Sequence, residues 1–202
     1  MADTFPTLQE PSVTPDQFVA FWRQAYSTNP RDYDSNIRRG QSLTDKNLRR
    51  LMEWKAGKRF AEEARAWSAR VGVSEINAQR ESGLSLSDSA VRALVGKVRK
   101  TGSKAKGGGT TLIWPLFICH VADPDGTPIY DVNTWRATLY VTDAWKPEYE
   151  GLTPVKLDTY LEWYRPWFAK VIAGAAFSAQ DLDKALMAFG QFTMTRWWKL
   201  LG

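Results

Sequence analysis

Cys119 and His120 are the only cysteine and the only histidine in this 202-residue chain, and side by side they suggest a thiol nucleophile with an imidazole base. Neighbours on one helix point about 100° apart, however, and both residues lie in the apolar stretch from Leu112 to Val121. The pattern therefore predicts a buried, structural Cys119. Counting excludes an intramolecular disulfide, a four-cysteine iron-sulfur cluster and a Cys/His zinc site, so no metal and no cofactor is expected. Chemistry must come from other groups. From Val91 to Thr111 the chain carries Arg92, Lys97, Arg99, Lys100, Lys104 and Lys106 with no acidic residue, and it runs into Gly107-Gly108-Gly109. This is a concentrated positive field beside a flexible turn, suited to an anionic partner. Asp131 stands ahead of a helical apolar run. By itself that is the pattern of a helix N-cap, with a catalytic carboxylate as the alternative.

The elements that would position these groups are helices. Thr14-Pro15 predicts a helix start, with Phe18, Phe21, Trp22 and Ala25 recurring at three- and four-residue steps to about Ser27. Thr44 caps a second helix carrying Leu48, Leu51 and Met52, interrupted at Gly57, and Phe60, Ala64, Trp67 and Val71 form the next stripe. A short helix over Ser74 to Arg80 precedes one capped by Ser87 or Asp88, whose apolar face is Val91, Leu94, Val95 and Val98. Thr110 to Val121 is apolar nearly all round and predicts a central buried helix with Pro115 in its first turn or at a kink. Asp123-Pro124-Asp125-Gly126 has turn chemistry, and Thr127 to Tyr130 reads as a short extended segment. Asp131 opens a helix to about Thr142. Pro154 opens another through Ala173, which Pro166 should kink or break, and Ser178 caps the last. No strand of convincing length is evident, so the fold class is all-α, one helical domain over residues 1–202. The tryptophans Trp22, Trp67, Trp163, Trp167, Trp197 and Trp198 lie at helical spacing and are assigned to the core.

The order Gly107-Gly108-Gly109-Thr110-Thr111, apolar helix, turn, and Pro128-Ile129-Tyr130-Asp131-Val132-Asn133-Thr134-Trp135-Arg136 resembles the core of the helix-hairpin-helix DNA glycosylase superfamily. In that family a catalytic aspartate follows the hairpin by about twenty residues, in a Pro-Val-Asp-x-His-aromatic-Arg type segment. The resemblance covers residues 105–140, the expected hairpin and catalytic segment. It implies a two-lobed helical domain in which glycine N–H groups and the start of the following helix hold a DNA phosphate without reading sequence. Lys104, Lys106, Gly107, Gly108, Gly109, Thr110, Thr111 and Arg136 are then the DNA-binding residues, and Asp131 is the catalytic carboxylate. It would face the positive charge that develops on the deoxyribose as the base leaves, and position the attacking water.

The chain departs from the family pattern at three places. The first is the hairpin, where Gly108 fills the position at which an apolar residue is usual and Ala105-Lys106 stand in place of Leu-Pro; the second is Asn133, in place of a common histidine; the third is the lysine position after the hairpin. Thr111 or its neighbour occupies the position of the lysine that serves a backbone-cleaving Schiff base, so no lyase step is expected.

The resemblance thus implies a monofunctional DNA N-glycosylase, acting in repair or against foreign DNA, that extrudes a base into a pocket between two helical lobes. The alternatives are a non-catalytic helix-hairpin-helix DNA-binding protein and a protein-protein interaction module. A net charge of +5 and an isoelectric point near 9.3 are compatible with DNA as partner. No apolar run approaches the roughly 20 residues that span a bilayer, and Met1 to Pro15 lacks the basic start and apolar centre of a signal peptide. A cytoplasmic monomer without membrane contact is expected.

Overall fold

The computed structural model describes residues 13–26, 33–34, 37, 42–56, 72–102, 112–142 and 156–194. Every described element is helical, and no strand occurs among the described residues, in agreement with an all-α fold. The helices are α1 (Pro15–Ala25), α2 (Asp45–Ala56), α3 (Val73–Ser82), α4 (Asp88–Gly102), α5 (Ile113–Ala122), α6 (Val132–Val141), α7 (Leu157–Thr159), α8 (Arg165–Ile172) and α9 (Ala179–Phe192), with a π-helical turn over Tyr160–Tyr164 joining α7 to α8. The stripe of Phe60, Ala64, Trp67 and Val71 and the residues Trp197 and Trp198 lie outside the described residues.

The chain divides into two compact units. The first comprises Met1–Ser27, Asp131–Pro154 and Trp167–Gly202, and the second Thr28–Tyr130 and Val155–Pro166. In the first unit α9 packs against both α1 and α6, and its buried face carries Leu182, Leu186 and Phe189. Three of its helices begin in the same way. Thr14 with Gln17, Asp131 with Thr134, and Ser178 with Asp181 each form a reciprocal capping box that satisfies N–H groups the helix itself leaves open. Aromatic rings seal the α1–α9 contact: Phe18 meets Phe189 edge-on at 5.4 Å, and Trp22 lies 5.1 Å from Phe189 and 5.3 Å from Phe192.

In the second unit α5 is the buried centre, packed against α3 and α4, with Leu116, Phe117, Ile118 and Val121 almost wholly enclosed. Pro115 sits in its first turn, where its missing N–H leaves no gap in the ladder. Val91, Val95 and Val98 supply the buried face of α4, as the periodicity requires. Pro166 does not break the helix, since α8 runs through it. The helix instead widens just before it, with the Arg165 N–H donating to the Tyr160 carbonyl. A proline ring collides with the carbonyl four residues back, and a π turn shifts the bonding register ahead of that collision.

Candidate functional site

Asp131 begins α6 in extended backbone conformation, and its Oδ1 accepts from the N–H groups of Asn133 at 2.8 Å and Thr134 at 3.0 Å. The Thr134 hydroxyl in turn accepts the Asp131 N–H at 2.9 Å. The residue is only 7% exposed. Its carboxylate is therefore held in one orientation by the end of its own helix. One turn further along α6, Arg136 is 4% exposed, and its Nη1 donates to the Met194 sulfur. Lys104, Lys106, Gly107, Gly108, Gly109, Thr110 and Thr111 lie outside the described residues.

The segment that leads to Asp131 belongs to the second unit and is braced atom by atom. Asp123 accepts the Gly126 N–H on Oδ1 at 3.0 Å, and the Leu86 N–H and Thr127 hydroxyl on Oδ2 at 2.9 and 3.4 Å. Four successive carbonyls then each receive a side-chain donor or ring nitrogen. Arg165 Nε donates to Gly126 O at 2.7 Å, His120 Nδ1 to Thr127 O at 2.7 Å, the Tyr160 hydroxyl to Pro128 O at 3.3 Å and the Tyr164 hydroxyl to Ile129 O at 2.8 Å. Outside a helix or sheet these carbonyls have no backbone ladder to bond to. Here side chains of α5 and of the widened helix supply the donors instead. Arg165 also reaches the Leu86 carbonyl and Asp88 Oδ1, tying the start of α4 to the same turn.

Thr127 O can only accept, so His120 carries its proton on Nδ1, and Nε2 accepts from the Tyr33 hydroxyl at 2.6 Å. Burial pushes its pKa down to about 3, despite the favourable bond to Thr127. Burial likewise pushes the Cys119 thiol up to about 12. A neutral, doubly bonded imidazole beside a protonated, enclosed thiol is no nucleophile pair. Both residues are structural, as their apolar surroundings predict. Burial also raises the pKa of Tyr130, whose ring lies 5.2 and 4.9 Å from those of Tyr160 and Tyr164.

The described cations of α4 are less available than the sequence suggests. Arg92 pairs with Asp158 at 2.7 Å, and Lys97 pairs with Glu75, both within the second unit. Arg99 is exposed. Their acidic partners lie far away in sequence, so a window over 91–111 does not contain them. A groove of about 460 Å³ opens between α3 and α4, lined by Ile76, Gln79, Leu86, Ala93, Leu94 and Lys97. No motif marks it, because its lining comes from two ordinary helix faces. No group of three or more His, Cys, Asp or Glu side chains suited to a metal ion occurs among the described residues, and none of their helices is long and apolar enough to cross a membrane.

Comparison of the chain with protein-family models, with curated proteins and with solved structures gives no match.

Proposed function

We propose that this chain is a monofunctional DNA N-glycosylase of the two-lobed helical type, with Asp131 as the carboxylate that serves the reaction. The observation that supports this reading is the position of Asp131. It follows a buried helix and a braced turn, stands as the N-cap of α6, and is held there by the Asn133 and Thr134 N–H groups. A fixed negative group of this kind stabilises the positive charge that grows on the sugar as the C1′–N bond breaks. No reorientation is then needed at the moment of reaction. Water adds at C1′, the base leaves with a proton, and an abasic site remains. With Thr111 or its neighbour at the position where the family's amine would stand, the backbone stays uncut. The cations and glycines of 104–111 would hold the flanking phosphates without regard to sequence.

A second reading has its own observation. The same two bonds to Asp131 Oδ1 are those of a purely structural cap, and they favour a DNA-binding protein without chemistry. Both readings give salt-sensitive binding to any duplex. They separate when the full chain is incubated with duplexes carrying damaged or phage-type modified bases and then treated with alkali. Strand breaks at one class of base, absent without alkali, support the glycosylase. Binding with no break in any duplex supports the second reading.

A further inference from the structure

The contact between α6 and α9 holds an arrangement of donors and acceptors that packing alone does not explain. Gly190 lets the two backbones approach closely at Asn133. On either side of this point, polar side chains of α6 turn toward α9 and meet only sulfur. Asn133 Nδ2 donates to Met187 Sδ at 3.3 Å, and Arg136 Nη1 donates to Met194 Sδ. A thioether is a weak acceptor and carries no charge. For an amide that is a tolerable partner. For a guanidinium, with a full positive charge and five N–H donors, it is a poor one.

Arg136 is nevertheless 96% buried by its 4% exposure, its Nε makes no hydrogen bond, and no ion pair joins it to a carboxylate among the described residues. Asp131, the nearest acid along α6, directs Oδ1 to its own helix end. A buried cation without a counter-charge is costly, and a fork of N–H groups with no oxygen to receive it is the half of a site that an oxyanion completes. The group covering it is suited to move. Met194 lies two residues beyond the end of α9, is 54% exposed, and has an unbranched side chain with three rotatable bonds. Turning it outward frees the Nη1 donor from the sulfur.

We propose that Arg136 is the anchor of an oxyanion site in the first unit, covered by the Met194 side chain and filled by a phosphate group that displaces the sulfur. Two phosphate oxygens match the paired Nη1 and Nη2 donors at the end of the guanidinium, one of the two-point geometries that arginine favours. The chain's net charge of +5 enriches multivalent phosphate near the surface more than singly charged carboxylates. The site does not depend on Asp131 doing chemistry, and its phosphate can be a free ion or one unit of a nucleic-acid backbone.

The test titrates the full chain with inorganic phosphate, against sodium chloride of equal ionic strength, and separately with a short unmodified duplex. Tryptophan fluorescence and melting temperature are the readouts. Wild type should respond saturably to phosphate, and Arg136→Met, whose fold is checked by circular dichroism, should lose at least tenfold in affinity. Met194→Ala, at an exposed position, should bind phosphate several-fold more tightly. If Arg136→Met weakens binding of the duplex as well, the backbone is a source of the phosphate. If duplex binding is unchanged, the ligand is a small phosphate. Equal phosphate binding by wild type and Arg136→Met, no specific response by wild type, or a Met194→Ala variant no tighter than wild type would each overturn the site.

Discussion

Gly190 of α9 lies directly on the backbone of Asn133 in α6, so close that a Cβ at position 190 would stand 2.0 Å from the Asn133 carbonyl oxygen. No side chain fits there, and backbone on the far side cannot swing away. Gly190→Ala in a free helix would be stabilising by about 1 kcal/mol. Here the sign should reverse. Forced separation of α6 and α9 is expected to cost about 2 kcal/mol or more, read as a lower urea midpoint with an unchanged slope. A variant as stable as wild type would mean that the helices do not cross at this point.

His120 is the only histidine, so its titration can be followed without assignment. Its folded pKa is depressed to about 3 against an ordinary value of 6.5, so the unfolded chain binds the extra proton first as pH falls. The contribution to stability is whole above about pH 6.5, declines by at most about 1.4 kcal/mol per unit below it, and is gone below about pH 3. The imidazole C2 proton resonance of the native protein should stay flat from pH 8 to pH 5. An inflection near pH 6.5 would show the ring to be solvated and its bonds to Tyr33 and Thr127 absent.

Arg165 holds two carbonyls, those of Gly126 and Leu86, with a partly buried fork. Arg165→Met should destabilise the chain by about 2–3 kcal/mol, most of it from carbonyls left without a donor, and little from the exposed Asp88. Arg165→Lys should recover less than half of this, because one ammonium cannot reach both oxygens in plane. Thermal or urea unfolding of the two variants decides it. Full rescue by lysine would reduce the residue's part to simple charge.

These contacts mark what local sequence conveys and what it does not. Thr14, Ser87, Asp131 and Ser178 are legible as caps because a cap is made by residues within three positions of one another. The turn at Asp123 to Gly126, the all-round burial of α5 and the inertness of Cys119 are local for the same reason. The donors that take the carbonyls of 126–129 come from α5 and from Tyr160, Tyr164 and Arg165, up to 39 residues away. Nothing in either segment names the other. Pro166 announces a disturbance but not its form, since a kink, a break and a π turn all relieve the same collision. Likewise Arg92 and Lys97 look free in a window without acids, until folding brings Asp158 and Glu75 to them. Arg136 is the converse case. Its place in a motif-like segment suggests an exposed contact, yet it is buried against a methionine, because the face of α6 it occupies is the one α9 covers.

Asp131 offers the sharpest separation of structure from chemistry. As a cap it needs only an oxygen acceptor for the Asn133 and Thr134 N–H groups, and an asparagine side chain supplies one. Asp131→Asn should therefore lower stability by only a few tenths of a kcal/mol. Asp131→Ala, which leaves both N–H groups without the side-chain oxygen, should cost about 1 kcal/mol. As the carboxylate of a glycosylase it needs its charge, which the amide lacks. Asp131→Asn should then bind duplex as wild type does but release base at least a hundredfold more slowly, and Asp131→Ala should be no faster than Asp131→Asn despite its larger folding defect. Urea unfolding and alkali-revealed abasic sites, measured on the same preparations, give both orders. If base release instead follows stability, with Asp131→Asn close to wild type and only Asp131→Ala impaired, the residue supports the site through the start of α6 and the reacting carboxylate is elsewhere.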